Sequence, residues 1–393
     1  MTDPVSARGP LAGITVIDLS RALAGPYASL MLADAGADVV KVERSAGGDD
    51  SRGWGPPFAG SGAQREAAYF LSVNRSKRSI TLDLKDSEDI DRLRVLLEHA
   101  DVLVENFRPG VMDRLGLGIA ALEALNDRLV VLSITGFGEG GPDGHRSGFD
   151  QIIQGEAGLM GITGPVGGPP TRFGVPITDI LAGMFGAYGV AAALREREQT
   201  GRGQRVTTSL LASAVAVHAY QGTRWTIGGE IPVPGGNRHA TISPYGAFTC
   251  SDGFVNIAVG SEGLWRRFAP LVGLAVDDPR YATNHDRVTN WDGLEAEINA
   301  ALRTDTVETW MARFDTAGVP AGRIRTMDQV YAWEQVEHLG LIDRVDHPAV
   351  GPLELPGSPV RWSRSGHRPA TPPPRLGEHT EELLGTPGEA LDT

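Results

Sequence analysis

Between Thr171 and Val206 the chain reads TRFGVPITDILAGMFGAYGVAAALREREQTGRGQRV, in which one carboxylate, Asp179, stands ahead of an apolar helical stretch with glycines at 183, 186 and 189. A carboxylate at a helix start can be held still, and a glycine face lets another backbone or a ligand come close. Such a group has two uses. It caps the helix, worth roughly 1 kcal/mol, or it attacks an activated acyl carbon. Attack on a thioester yields a mixed anhydride, which another thiolate or carboxylate then opens; Ser or Cys would give different intermediates.

Several further groups suit an anionic ligand. The run DVVKVER ends in Arg44, at the position where a nicotinamide-type fold meets the adenosine ribose and where a basic residue accepts an extra phosphate. The alternative reading of Arg44 is a surface arginine in a salt bridge. VNRSKRSITLDLK places Arg75, Lys77 and Arg78 just before a strand, as a solvated charged face or as a pyrophosphate clamp. VENFRPG places Asn106, Phe107 and Arg108 on a loop: Phe107 stacks on a base or plugs the core, and Arg108 pairs with a phosphate or caps the next helix. The pair Gly235-Gly236 offers backbone N–H groups for an oxyanion, or forms a plain turn. The nine histidines are scattered without H-x-x-x-H spacing and there is one cysteine, so no metal ligand set is expected.

The elements that hold these groups read as alternating strands and helices. Residues 14–19 (ITVIDL) and 38–42 (DVVKV) flank a helix that Pro26 opens and Gly36 stops. SITLD, DVLVENF and LVVLSITGF are further strands, and EDIDRLRVLLEHA is an amphipathic helix. This pattern predicts an α/β fold with a doubly wound parallel core and ligands beyond the carboxyl ends of its strands. The first crossover loop, SRALAGPYAS, lacks the G-x-G-x-x-G dinucleotide fingerprint. After about residue 225 the chain becomes rich in Gly, Pro and short strands; YGAFTC and FVNIAV, joined by SDG, read as a hairpin. Two helical stretches follow, and AGVPAGRIRTM reads as a return linker. The expected division is a large domain over 1–224, a small domain over 225–327, and a return to the large domain over 328–393.

Composition narrows the partners. A net charge of −13 argues against nucleic acid, whose phosphates need a basic surface. The single cysteine, Cys250, cannot form an internal disulfide and reads as a packing residue. The N-terminus lacks a basic-then-apolar leader pattern, and the longest apolar run, Ile180 to Leu194, is shorter than the roughly 20 residues of a bilayer span, so a cytoplasmic protein is expected.

Taken together, VIDLSRALAGPYASLMLADAGADVVKVER, NRSKRSITLDL, ADVLVENFRPGVMDRLGL, SITGFGEGGP, TDILAGMFGAYGVAAALREREQTGRGQ and the late LGEHTEELL resemble the class III CoA-transferases, the CaiB/BaiF family, over nearly the whole chain. The resemblance implies a Rossmann-like large domain built from both chain ends, a smaller inserted α+β domain, and a homodimer whose subunits interlock. It implies an aspartate nucleophile at Asp179, and coenzyme A contacts in the segments holding Arg44, Lys77, Asn106, Phe107 and Arg108. Where some members carry glutamine before A-G-P, this chain has Leu23. The implied reaction moves CoA from an acyl-CoA donor to a carboxylic acid acceptor. GNRHATISPYGAFTCSDGFVNIAVG is similar to the second-domain entry of dicarboxylate-handling members, and Arg238 and His239, with Arg224, either meet a distal carboxylate or cap turns or hold the domain interface. The main rival on this scaffold is a 2-methylacyl-CoA racemase, which needs a histidine before an aspartate; SGFDQI has Phe149 there, and Phe cannot move a proton. A non-catalytic CoA-binding protein is the third reading.

Overall fold

In the computed structural model, which describes residues 8–366 and 368–385, six strands form the main sheet: β1 (Thr15–Asp18), β2 (Asp38–Glu43), β3 (Lys77–Thr81), β4 (Val102–Glu105), β5 (Val130–Thr135) and β6 (Arg205–Ser209), the last a polar segment, RVTTS, that carries no apolar strand signal in the sequence. All pair in parallel, in the order β3-β2-β1-β4-β5-β6. The order reverses between β1 and β4, which opens a crevice at the carboxyl ends of these strands.

Alternation along each strand divides the core. Val16, Val39, Val102 and Val104 join one apolar cluster, with helices α1 (Ala24–Asp34) and, later in the chain, Ile177–Thr200. Ile17, Val40 and Leu103 join the other, with Ile90, Leu93 and Leu97 of α2 (Ser87–Glu98). Removing a side chain of this size from water is worth roughly 1.5–3 kcal/mol. α1 starts at Ala24, so Pro26 lies inside its first turn rather than opening it; Gly36, at φ 102°, does end it.

Two further helices bear on the site: α3 (Asp150–Glu156) and α4 (Ile177–Thr200). By length and composition α4 is apolar enough to cross a membrane. Its 24 residues exceed the run read from sequence because the helix starts earlier, at Ile177, and continues through Arg195–Thr200. Here it packs on α1 and the sheet. Its glycines serve that packing: a Cβ on Gly183 would stand 2.7 Å from the Ala24 carbonyl oxygen, and one on Gly186 2.9 Å from the Leu132 side chain. Of the two uses of a glycine face, close approach of protein is the one realised at these positions.

The basic cluster before β3 is spent inside the fold. Arg75 makes a bidentate pair with Asp34, Arg78 pairs with Asp38, and Lys77 lies fully buried. The Lys77 ammonium donates to the Pro26 carbonyl at 2.9 Å, to Asn74 Oδ1 at 2.9 Å and to Asp18 Oδ2 at 3.2 Å. Burial pushes it down to about 8, with Asp18 opposing and Lys41 adding to the shift. Asp18, which burial alone would raise, is held below its ordinary value by Lys77, Lys41 and the hydroxyls of Ser20 and Ser29. Neither the pyrophosphate clamp nor a coenzyme contact at Lys77 is realised, because each cation already has a carboxylate of its own.

The chain divides into two units. The first runs up to Leu159, resumes over Arg172–Gly229, and takes up the chain again from Glu334; the second is Met160–Thr171 with Glu230–Trp333. The return to the first unit includes a hairpin that the sequence left unassigned, Ile342–His347 paired with Gly351–Pro356. Its tail then lies along β3, with His379 N donating to the Ser79 carbonyl and Thr81 N to Thr380 Oγ1.

The second unit holds a three-stranded antiparallel sheet, in which the Phe254–Ala258 strand is central between Tyr245–Thr249 and Ala321–Arg323. Its core stacks Phe248, Trp265, Phe268, Trp291, Trp310 and Phe314. The sequence boundaries change: the main part of the second unit is Glu230–Trp333 rather than 225–327. AGVPAGRIRTM contributes the third strand, with Val255 opposite Arg323, so it belongs to the sheet rather than to a linker. Met160–Thr171, assigned from sequence to the large domain, joins the second unit, where the Gly164 carbonyl accepts from Gly236 N at 2.9 Å.

Candidate active site

A cleft of about 660 Å³ opens in the first unit at the carboxyl ends of β1, β4 and β5. One rim is the loop after β1. Asn106, beyond β4, brackets Arg21 with two 2.8 Å bonds, accepting from its N–H and donating to its carbonyl. Lys41 Nζ donates to the Ser20 carbonyl at 2.9 Å and pairs with Asp49 at 2.9 Å. Asp49 in turn accepts the Ala22 N–H at 3.2 Å, holding Ala22 at φ 65°, a left-handed conformation unusual for a residue with a Cβ. Burial alone would raise the Asp49 carboxyl, but Lys41 and the Ser51 hydrogen bonds hold it down to about 2. A buried ion pair beneath the strand ends therefore sets the shape of this loop.

Phe107 and Arg108 line the same cleft. The Arg21 guanidinium lies 5.3 Å from the Phe107 ring centroid, so the ring stands at the cleft wall under a cation. Arg108 is exposed, and its guanidinium has no hydrogen bond or ion pair among the described residues. Arg44 stands just past β2 and pairs with Asp50 at 2.5 Å; Asp50 lines the cleft and Arg44 does not.

The opposite wall carries Asp179. It does not cap α4, because the helix begins two residues earlier, after Pro176. The first-turn N–H of Thr178 is taken instead by Asp150 Oδ1 at 2.9 Å, which also accepts from Thr178 Oγ1 at 2.9 Å. Asp150 Oδ2 accepts from Gln154 Nε2 at 2.7 Å, one turn along α3. The capping duty thus falls to a buried carboxylate from another helix. Asp179, half-buried, lines the cleft with no hydrogen-bond partner among the described residues. Burial pushes its carboxyl up, and the charge of Asp150 pushes it further, to about 7. The helix N-terminus, which favours a carboxylate, is outweighed.

Tyr69 lines the cleft too, its ring edge-on to Trp54 at 5.0 Å. Burial and the charges of Asp179, Asp150 and Asp49 push the phenol up to about 12, so it remains an O–H donor. Tyr69, Asp150, Arg21 and Arg172 also line the cleft, although neither residue type nor spacing singles them out as cleft residues in the sequence. The i, i+4 spacing of Asp150 and Gln154 was the available signal for their pairing.

With this geometry in place, a family model described as CoA-transferase family III matches residues 11–380. The chain belongs to CoA-transferase family III. It is 42% identical to a succinate–glutarate CoA-transferase of Agrobacterium fabrum, over 98% of this chain and 97% of that protein. It is 39% identical to a succinyl-CoA:glutarate CoA-transferase of Mus musculus, over 95% of this chain and 86% of that one. A solved CaiB/BaiF family protein from Brucella suis superposes with a TM-score of 0.87 at 38% identity, covering 96% of this chain and 98% of its own. This transferase therefore moves CoA between an acyl thioester and a free carboxylic acid.

The second-unit residues expected to meet substrate in this transferase are already engaged. Gly236 N–H is bound to the Gly164 carbonyl and is unavailable to an oxyanion, while Gly235 accepts from Arg238 N at 3.2 Å in a turn. Arg238 pairs with Asp292 at 2.8 Å and with Glu295 at 2.9 Å, beside the Trp291 ring. His239 stacks on Tyr245 with ring centroids 5.0 Å apart. These bonds make Arg238 a fixed part of its own unit, because two carboxylates already neutralise it. Phe149 lines the cleft of the transferase where a racemase would need an imidazole, and His145 is exposed outside its lining.

Proposed function

We propose that this transferase passes CoA from an acyl-CoA to a dicarboxylic acid such as succinate, glutarate or a branched C5 diacid, with Asp179 as the covalent nucleophile. The observation carrying the proposal is the Asp179 carboxyl itself: it lines the strand-end cleft, lacks a hydrogen-bond partner among the described residues, and is poised near neutrality. A structural carboxylate at a helix start would be bonded to the backbone, as Asp150 is. The names of the two relatives, both of which pair succinate with glutarate, support the dicarboxylate class.

The steps balance without proton transfer. The Asp179 carboxylate attacks the donor thioester carbonyl, the C–S bond breaks, and CoA leaves as thiolate. The thiolate attacks the aspartyl carbonyl of the anhydride and expels the donor carboxylate, leaving an aspartyl-CoA thioester. The acceptor carboxylate attacks that thioester and releases the thiolate again. Thiolate attack on the acceptor acyl carbon forms the product thioester and frees Asp179. Tyr69, kept protonated, supplies a donor for oxygen charge that develops beside Asp179. Phe107 offers a stacking face for the adenine of CoA. Arg21 and Arg108 offer charge to its phosphates, with Asn106 holding the loop that carries Arg21, and Arg44, beyond the lining, can join them because its pair with Asp50 is solvent-exposed and open to exchange.

The test is a panel of acyl-CoA donors and free acids, read by mass spectrometry for new thioesters. Glutaryl-CoA is expected from succinyl-CoA and glutarate. Exchange confined to monocarboxylic acids would remove the dicarboxylate assignment.

We also propose a homodimer. Met184, Phe185 and Tyr188 on α4 and Trp225 on the Ala219–Thr226 helix are 44, 40, 74 and 56% exposed, a large apolar display for a chain that acts alone. Sedimentation is expected to give a dimer, and Tyr188→Glu to weaken it. A wild-type monomer at micromolar concentration would overturn this.

A further inference from the structure

Four arginines line the cleft: Arg21, Arg108, Arg146 and Arg172. They are not equivalent. Arg146 is committed to Glu156 and to Asp143 at 3.4 Å, and lies 4.2 Å from the Phe137 ring centroid. Arg21 sits over Phe107 on the loops after β1 and β4, and Arg108 follows Phe107 directly. Arg172 lies on the segment that leads into α4, seven residues before Asp179. It is exposed, and it makes no hydrogen bond or ion pair with any described residue.

The peptide between Arg172 and Asp179 is pinned at both ends by one turn of α3. Gln154 Oε1 accepts from Phe173 N at 2.8 Å, immediately after Arg172. Asp150 accepts from Thr178 N and Oγ1, immediately before Asp179. Gln154 and Asp150 are bonded to each other and both are buried. A single buried amide–carboxylate pair therefore holds the backbone from which Arg172 and Asp179 both project.

A diacid that presents one carboxylate to Asp179 brings a second charge into the cleft, and that charge needs a cation within reach. We propose that Arg172 binds the distal carboxylate of the acid and sets the preference of the transferase for dicarboxylic over monocarboxylic acids, with Asp150 and Gln154 as positioning residues. This rests on the dicarboxylate reading above and moves the specificity function from Arg238 to Arg172. Arg238 has two carboxylate partners and Arg172 has none among the described residues.

The experiment compares glutarate with valerate, which has the same carbon number and one carboxylate fewer, as CoA acceptors. In Arg172→Ala the ratio of kcat/KM for glutarate over valerate is expected to fall about ten- to hundredfold, the range for losing a charge-assisted contact. Most of the change should appear in the KM for glutarate, with Arg172→Lys restoring part of it. Selectivity retained in Arg172→Ala, or an equal loss with both acids, overturns the role of Arg172. A wild-type enzyme that uses the two acids equally overturns the dicarboxylate reading itself, so the two failures are told apart.

Discussion

Asp179→Ala is expected to lower CoA exchange by at least about 10⁴-fold, the order of loss seen when a covalent nucleophile is removed. The fold should survive, because Asp179 bonds to none of its described neighbours and the start of α4 is held by Asp150. Circular dichroism and sedimentation of the variant should match wild type. Asp179→Asn should be as inactive as the alanine variant, since an amide cannot carry the anhydride. Exchange within tenfold of wild type in either variant contradicts the assignment.

The second large effect is on pH dependence. The reacting form of Asp179 is the carboxylate, and its carboxyl is raised from 3.8 to about 7 by burial and by Asp150. Log kcat/KM should therefore climb with unit slope up to about pH 7 and then level, leaving the rate near pH 5 about hundredfold below the plateau. Asp150→Asn should move this limb to lower pH. The same shift acts on stability. Between the unfolded and folded values the unfolded chain ionises Asp179 while the folded chain keeps it neutral. The stability favouring the neutral form is full below about 3.8 and is lost as pH rises through about 7. Asparagine does not ionise, so Asp179→Asn should be more stable than wild type near pH 8, by an amount on the order of 2–4 kcal/mol. The gain should shrink by about half or more by pH 5. Denaturant titrations at the two pH values check this, and a gain that grows as pH falls would reverse the sign.

What the sequence made legible follows from the range of the interactions involved. Strand runs and the α2 stripe depend on local periodicity, so the parallel core and its crevice were readable from ITVIDL, DVVKV, DVLVENF and LVVLSITGF. Pairings between distant residues were not. Lys77 looks like a phosphate ligand in NRSKR until Asp18, 59 positions away in the chain, is seen to meet its ammonium. Arg238 looks like a substrate cation until Asp292 and Glu295 are seen beside it. Asp179 illustrates the opposite case. Its residue type and motif singled it out, but the reason it is free for chemistry lies in Asp150, 28 positions from the Thr178 it caps. Arg172 carried no motif; what distinguishes it is its place on the peptide held by Gln154 and Asp150 just ahead of Asp179, and that is a property of the folded chain.

The most direct test of covalent catalysis by Asp179 is to mix the enzyme with succinyl-CoA without acceptor, reduce with borohydride, and map the modified peptide by mass spectrometry. Reduction of an aspartyl thioester converts that side chain to homoserine, which is expected at Asp179 alone, with no adduct in Asp179→Ala. Modification at any other residue, or an unmodified Asp179 in an enzyme that still exchanges CoA, would contradict it.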